Sequence, residues 1–328
     1  MSDDDKLSAE DRLIADYFKP VATHPGALAL TDDAAFLTPA PGTDLVLKTD
    51  AVIGGVHFFP EDDAADVARK ALRVNLSDLA AKGATPLGFL VSLALPKEIG
   101  AGWLEAFARG LREDADAFNC PLFGGDTDRT PGPITVSVAM VGSVPSGTMV
   151  RRAGASPGDR VFVTGTIGDA ALGLKLRHGA TWPLSAAQRA HLEARYLRPQ
   201  PRNALAEAVR AYASAAMDVS DGLAGDLAKL ARVSGIAARI DAAAVPLSDA
   251  ARAAIAADPG LRETALTGGD DFEILCTVPD SLTGAFRAAA AAAKVAVTDI
   301  GAIEAGAGAH FFDDGRELAF KRLSFSHF

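Results

Sequence analysis

Cysteine is scarce in this chain. Cys120 and Cys276 are the only two among 328 residues. They lie far apart, in or beside apolar runs, so a disulfide framework is excluded and both are expected as reduced core thiols. Long apolar stretches are missing too. No run approaches the ~20 residues of a membrane span, and the acidic opening MSDDDKLSAED has no apolar signal-peptide core. The expected location is the cytoplasm, with no membrane partner. Basic charge is in deficit: 32 Lys and Arg stand against 42 Asp and Glu, a net charge of −10. That argues against a nucleic-acid partner, which needs a basic face. Several catalytic signatures are also absent. There is no GxxxxGK[ST] phosphate loop. The six histidines show neither HExxH nor any paired spacing, which argues against zinc. No GxSxG elbow supplies a nucleophile for acyl transfer. Gly165-Thr166-Ile167-Gly168 lacks the full GxGxxG pattern and reads as tight packing rather than a dinucleotide cradle.

What is present is enough chain for two domains with ordinary cores. Hydrophobic residues make up 49% and charged residues 23%, as in a globular protein. Helical periodicity is expected over residues 7–18, 64–81, 102–118, 169–177, 201–213, 248–257 and the alanine run 288–293, with a further helix ending near Ser234. Strands are expected at 45–47, 87–95, 121–123, 134–144, 160–164, 237–240, 274–278 and 295–300, followed by an irregular tail. Residues 146–159, rich in Gly, Ser and Pro, lack periodicity and mark a boundary. The expected domains are 1–147 and 148–328, and the fold class is α/β (α+β).

The chemistry-bearing residues are acidic. Asp32-Asp33 sits in a polar turn, and Leu45-Val46-Leu47 leads to Lys48-Thr49-Asp50 and then, past a Gly-Gly turn, to His57. With one short strand between them, the two acidic turns are expected near each other at one sheet edge. Asp78, Asp126, Asp218, Asp221 and Asp270-Asp271 likewise stand beside Gly, Ser or Thr at the ends of apolar elements. Any one alone reads as a cap or turn. As a set they suggest a site for several Mg²⁺ ions, which take hard oxygen donors; intramolecular salt bridges are the other way to absorb the charge. Without a nucleophile or histidine base, metal-assisted phosphoryl transfer fits best, since it asks for positioning and charge neutralisation. A phosphate acceptor is already anionic at neutral pH and needs no general base. Arg151-Arg152 is the basic supplement.

TDDAA, KTDAVIGGVHF, NLSDLAAKGA, GGDTDR, RRAGASPGD, VTGTIGDAALGL, DVSDGL and GGDDFE, in this order and spacing, resemble thiamine-monophosphate kinase, of the aminoimidazole ribonucleotide synthetase superfamily. The resemblance implies a two-domain aminoimidazole ribonucleotide synthetase-like fold and a homodimer whose N-terminal sheets join into a barrel. It implies that ATP and thiamine monophosphate meet between the domains and that the γ-phosphate passes directly between them. By motif position, Asp33, Asp50, Asp78, Asp126, Asp218 and Asp221 would be Mg²⁺ ligands, with Asp32 and Thr49 ligands or close supports. Gly125, Asp126, Arg152 and Ser220 would contact ATP, as would Lys48, which stands where Ser is common. His57 would contact substrate. Asp270 and Phe325 would contact the thiamine moiety, although Glu and Tyr or Trp are common there. Thr31 replaces the usual Gly before the paired aspartates.

Two other classes remain open from the sequence. One is another ATP-dependent enzyme of the superfamily, a cyclo-ligase or a selenophosphate synthetase. The latter is expected to carry a reactive cysteine near the N-terminus, whereas the first cysteine here is Cys120. The other is a non-catalytic Mg²⁺- or nucleotide-binding protein.

Overall fold

The structure, a computed structural model, describes residues 12–324. They form two compact units: one runs up to Leu76 and resumes at Thr85–Gly147, the other combines Ser77–Ala84 with the chain from Thr148 onward.

The first unit contains β1 (Thr43–Ile53), most of α1 (Ala64–Ala81), β2 (Thr85–Leu95), α2 (Ala101–Ala117), β3 (Leu122–Arg129) and β4 (Thr135–Pro145). Its sheet has the order β1-β4-β2-β3. The β1–β4 and β4–β2 pairs are antiparallel and β2–β3 is parallel. Side chains alternate between faces, as a pleated strand requires. Val46, Val52, Val138, Met140, Phe89, Val91 and Leu93 are buried, whereas Leu45, Leu47 and Leu90 on the other face are exposed. In α1, Val67, Ala71, Leu72 and Leu76 are buried, the helical stripe that the periodicity predicts. The two helices pack closely: a Cβ on Gly110 would lie 2.4 Å from the carbonyl oxygen of Ala65.

Two acidic segments expected as turns are strand. β1 does not stop at Asp50 but continues to Ile53, because Val52 keeps the buried alternation going. GGDTDR lies wholly within β3, where Asp126 is opposite Ser92. β1 and β3 are the two edges of this sheet, and an edge strand accommodates exposed polar side chains. Of the helix expected over 7–18, residues 7–11 lie outside the described residues, and Ile14–Phe18 is a π-helical turn.

The second unit contains, in order, β5 (Asp159–Thr164), α3 (Asp169–Arg177), α4 (Ala186–Leu197), α5 (Ala206–Tyr212), β6 (Ala215–Asp218), α6 (Leu223–Ser234), β7 (Ala237–Asp241), α7 (Asp249–Ala257), α8 (Leu261–Thr267), β8 (Ile274–Pro279), α9 (Thr283–Ala292), β9 (Val297–Glu304), β10 (Gly308–Asp313) and β11 (Arg316–Glu317). The seven strands are ordered β11-β10-β7-β9-β5-β8-β6. Both faces are buried. Val161 and Val163 join Leu227 and Leu230 of α6 in one cluster, while Phe162 joins Val209 of α5 and Phe286 of α9 in another. Part of the tail expected as irregular is strand. β10 pairs with β7, and Asp314-Gly315 turns it into β11. Both turn residues have positive φ, 47° and 78°, as the tight hairpin turn requires. Cys120 and Cys276 are free and buried, and burial pushes each thiol up to about 12.

Candidate active site

In the first unit, the segment after Leu30 and the β3 edge enclose a cavity of about 640 Å³. Asp32, Asp33, Gly125, Asp126 and Thr127 line its acidic rim, with Ser92 beside them, and Phe18, Leu30 and Phe36 supply apolar wall. Gly125 is there because β2 comes close: a Cβ would lie 1.8 Å from the carbonyl oxygen of Val91. Asp126 accepts the backbone N–H of Thr127 at 2.9 Å. The chain reaches Asp32 through Leu28, Ala29 and Leu30, three successive residues at φ 50–54°. That left-handed conformation is costly for residues with a Cβ.

Thr49 and Asp50 are not in that cavity. Asp50 is opposite Val138, Val138 opposite Val91, and Val91 opposite Gly125. Three strand spacings, about 14 Å along the sheet, therefore separate Asp50 from the β3 edge. The expectation that Asp32-Asp33 and Asp50 share one edge is corrected: the pair lies with β3, while Asp50 is on β1. The connection Ala34–Gly42 is long enough to reach across, a freedom that the short strand spacing concealed. Lys48 Nζ is 3.0 Å from Asp50 Oδ2. His57 closes the turn after β1. Its Nδ1 accepts the N–H of Ile53 at 3.0 Å, and its carbonyl accepts from Lys70 at 2.8 Å. An accepting Nδ1 leaves the ring proton of a neutral imidazole on Nε2.

In the second unit the structure joins two motifs that are about fifty residues apart in sequence. The end of β6 at Asp218 and the turn after it (Val219, Ser220, Asp221) run beside the stretch from Gly268 to Glu273. Asp270 donates its N–H to the Ser220 carbonyl at 2.9 Å, and Phe272 donates to Val219 at 2.8 Å. Glycines permit this approach. A Cβ on Gly269 would lie 2.4 Å from the Ser220 oxygen, and one on Gly222 would lie 2.5 Å from Thr267 backbone. Asp270 and Phe272 both have positive φ, 73° and 51°. Asp218 is buried and Asp221 is half-exposed. Asp78, in the last turns of α1, is half-buried, and its neighbour Ser77 donates to the Phe272 carbonyl at 3.2 Å. Arg152 is exposed. Phe325 lies outside the described residues.

Several supporting residues escaped sequence reasoning. Asp226, fully buried on α6, accepts the N–H groups of Ser220 and Asp221 on one oxygen at 3.0 and 2.9 Å. Its other oxygen accepts from Lys229 at 2.8 Å, and Lys229 also contacts Asp221. Burial raises the Asp226 pKa, with Lys229 pulling against it. Burial works against the Lys229 charge, yet its hydrogen bonds to Asp221 and Asp226 keep it above the ordinary lysine range. The signal was an Asp on the apolar stripe of Leu223, Leu227 and Leu230. Glu273 is fully buried and accepts from Arg195 at 2.7 Å, Arg202 at 2.5 and 2.6 Å and Thr164 at 2.6 Å. Asp271, equally buried, accepts the N–H of Gly168 at 2.7 Å. It is pushed well above the carboxylate range, chiefly by burial. The Gly165–Gly168 loop is thus tight packing: a Cβ on Gly168 would lie 2.4 Å from that of Ala265.

Among the described residues, no three His, Cys, Asp or Glu side chains gather closely enough to hold a metal ion. The arrangement offers hard oxygens at the rim of one cavity and at one turn, with lysines against Asp50 and Asp221. No helix among the described residues is long and apolar enough to cross a membrane.

Comparison with known proteins places these features. Residues 31–144 match the N-terminal domain of AIR synthase related protein, and residues 156–314 match its C-terminal domain. The fold is therefore that of a two-domain AIR synthase related protein. A relative from Caulobacter vibrioides, thiamine-monophosphate kinase, is 44% identical over 92% of this chain and 86% of its own. A crystal structure of thiamine-monophosphate kinase from Stenotrophomonas maltophilia superposes with TM-score 0.83 at 40% identity, covering 94% of this chain and 96% of that one. AaThiL complexed with AMPPCP and TMP matches with TM-score 0.78 at 33% identity, covering 90% and 91%. The chain belongs to the thiamine-monophosphate kinase family.

Proposed function

We propose that this chain transfers the γ-phosphoryl group of ATP to thiamine monophosphate, giving thiamine diphosphate and ADP. Family membership supports the reaction. The observation that carries it to named residues is the hydrogen-bonded pairing of the Asp218–Asp221 turn with Asp270 and Phe272. That pairing sets Ser220, the proposed ATP contact, beside Asp270, the proposed thiamine contact. Gly125, Asp126, Arg152 and Lys48 are the remaining ATP contacts. His57 and Phe325 are substrate contacts. The acceptor is a phosphate, anionic at neutral pH. No general base is then required. Positioning of donor and acceptor is the main work of the protein.

The donors fit magnesium, since they are oxygens of the type that ion selects. Asp32, Asp33, Thr49, Asp50, Asp78, Asp126, Asp218 and Asp221 would hold several such ions. Bound magnesium would offset the charge of two phosphate-bearing substrates on an acidic protein. The working form is a cytoplasmic homodimer. Its support is the outer face of the first sheet, where Leu45, Leu47 and Leu90 are 42%, 74% and 43% exposed. Exposed apolar patches of this kind mark protein contacts.

ADP release, measured by enzymatic coupling with and without thiamine monophosphate, tests the reaction. Stimulation by the acceptor is expected, and equal rates would overturn the reading. In the same assay Asp50→Asn is expected to lose at least ~100-fold in kcat, the scale of removing an electrostatic group from a transfer site, with its circular dichroism unchanged.

A further inference from the structure

Two of the proposed metal-binding carboxylates, Asp221 and Asp50, are each paired with a lysine. Lys229 contacts Asp221 and lies 2.8 Å from Asp226. Lys48 lies 3.0 Å from Asp50. These pairs are not ordinary surface decoration. Asp226 is fully buried and fixes the backbone of Ser220 and Asp221, so Lys229 is anchored at one end while its charge lies against the half-exposed Asp221. A divalent ion taking the same oxygen of Asp221 would meet a positive charge at hydrogen-bond distance.

We propose that Lys229 is a resident counter-cation of the Ser220–Asp221 turn: it neutralises Asp221 in the metal-free protein and gives up that carboxylate when a divalent cation binds. Lys48 does the same for Asp50. This rests on the ligand roles proposed above. Each lysine sets a threshold on metal binding. The protein keeps Asp221 and Asp50 neutralised without metal, and it pays for this with weaker metal affinity. Lys229 is a positioning residue in this scheme, since the substrate need not touch it.

The test is titration of the purified full-length protein with Mn²⁺ alone, following free Mn²⁺ by electron paramagnetic resonance. Lys229→Met is expected to bind Mn²⁺ about three- to tenfold more tightly than the parent, a modest factor because solvent screens part-exposed pairs. Its metal-free thermal midpoint should fall and recover at saturating Mn²⁺. Lys229→Arg, which keeps the charge, should bind as the parent does. Lys48→Met should repeat the gain. Unchanged or weaker Mn²⁺ binding by a folded Lys229→Met would overturn the proposal and leave Lys229 as a brace for the turn. Should Lys229→Met fail to fold, Lys229→Gln takes its place under the same expectations. Asp221→Asn separates the two levels: if it binds Mn²⁺ as the parent does, the ligand role of Asp221 fails, whatever Lys229 does.

Discussion

Glu273 shows how a single residue governs its surroundings. Its carboxylate has no solvent exposure and takes hydrogen bonds from Arg195, Arg202 and Thr164. Glu273→Gln would keep the shape but leave two guanidinium groups without their counter-charge. Breaking a buried pair in this way costs about 3–5 kcal/mol. A urea midpoint lowered with unchanged slope is the expected result; a shift within error would mean that water reaches the arginines. In the sequence Glu273 looked like one more acid in the GGDDFE run. Asp270 is the expected thiamine contact there, and nothing local distinguishes it from its buried neighbours Asp271 and Glu273. The distinction comes from the arginines, about seventy residues away, and periodicity cannot report on that distance. Asp226 was easier to find in principle, because an acid on the apolar stripe of a helix must be satisfied by something.

At the level of elements, strands and helices with strong alternation or a clear stripe were legible: α1, α2, β4, β5 and β8 lie close to their expected spans. The failures have physical causes. β1 and β3 extend through polar residues because an edge strand needs only backbone pairing on one side. β10 and β11 were missed because Asp314-Gly315 was not recognised as a hairpin turn. The α3 entry loop supports a pH prediction. Asp271 caps it, and burial raises its pKa well above the usual carboxylate range. An unfolded Asp loses its proton near ~3.9. Between that value and the raised folded one, the folded state holds one more proton than the unfolded state. Stability must therefore fall as pH rises through this window and level off above it. Asp271→Asn has no such proton, so its stability relative to the parent should improve as pH rises from 4. Urea midpoints across pH 4–8 measure this. A constant difference would show that Asp271 ionises as readily in the folded chain as in the unfolded one.

For the whole molecule, the exposed face of the first sheet makes the association state testable. Leu47 is the most exposed large aliphatic side chain there, directly opposite Val141. Leu47→Glu would place a charge in the proposed contact. The parent is expected to run as a dimer by light scattering and the variant as a monomer at micromolar concentration; identical masses would remove that face from the interface. The sequence had placed the acids around one sheet edge. In the structure Asp32, Asp33 and Asp126 share a cavity, and Asp50 is across the sheet from it. Strand order, which local patterns do not encode, decided that outcome.

The composition of the second unit also bears on how such a chain can be cut and rejoined. Ser77–Ala84 belongs to it although the sequence returns to the first unit at Thr85. Within that short stretch Ala80 and Ala81 join the core around Phe162. Lys82 donates to the Ala216 carbonyl at 2.7 Å, and Arg210 donates to Gly83 at 2.5 Å. A recombination event joining a foreign front half at residue 147 would bring its own version of those eight residues into a hydrophobic interior they did not evolve with. Shuffling among relatives should therefore succeed only when the helix end travels with the C-terminal portion, so inheritance follows the packing and not the linker.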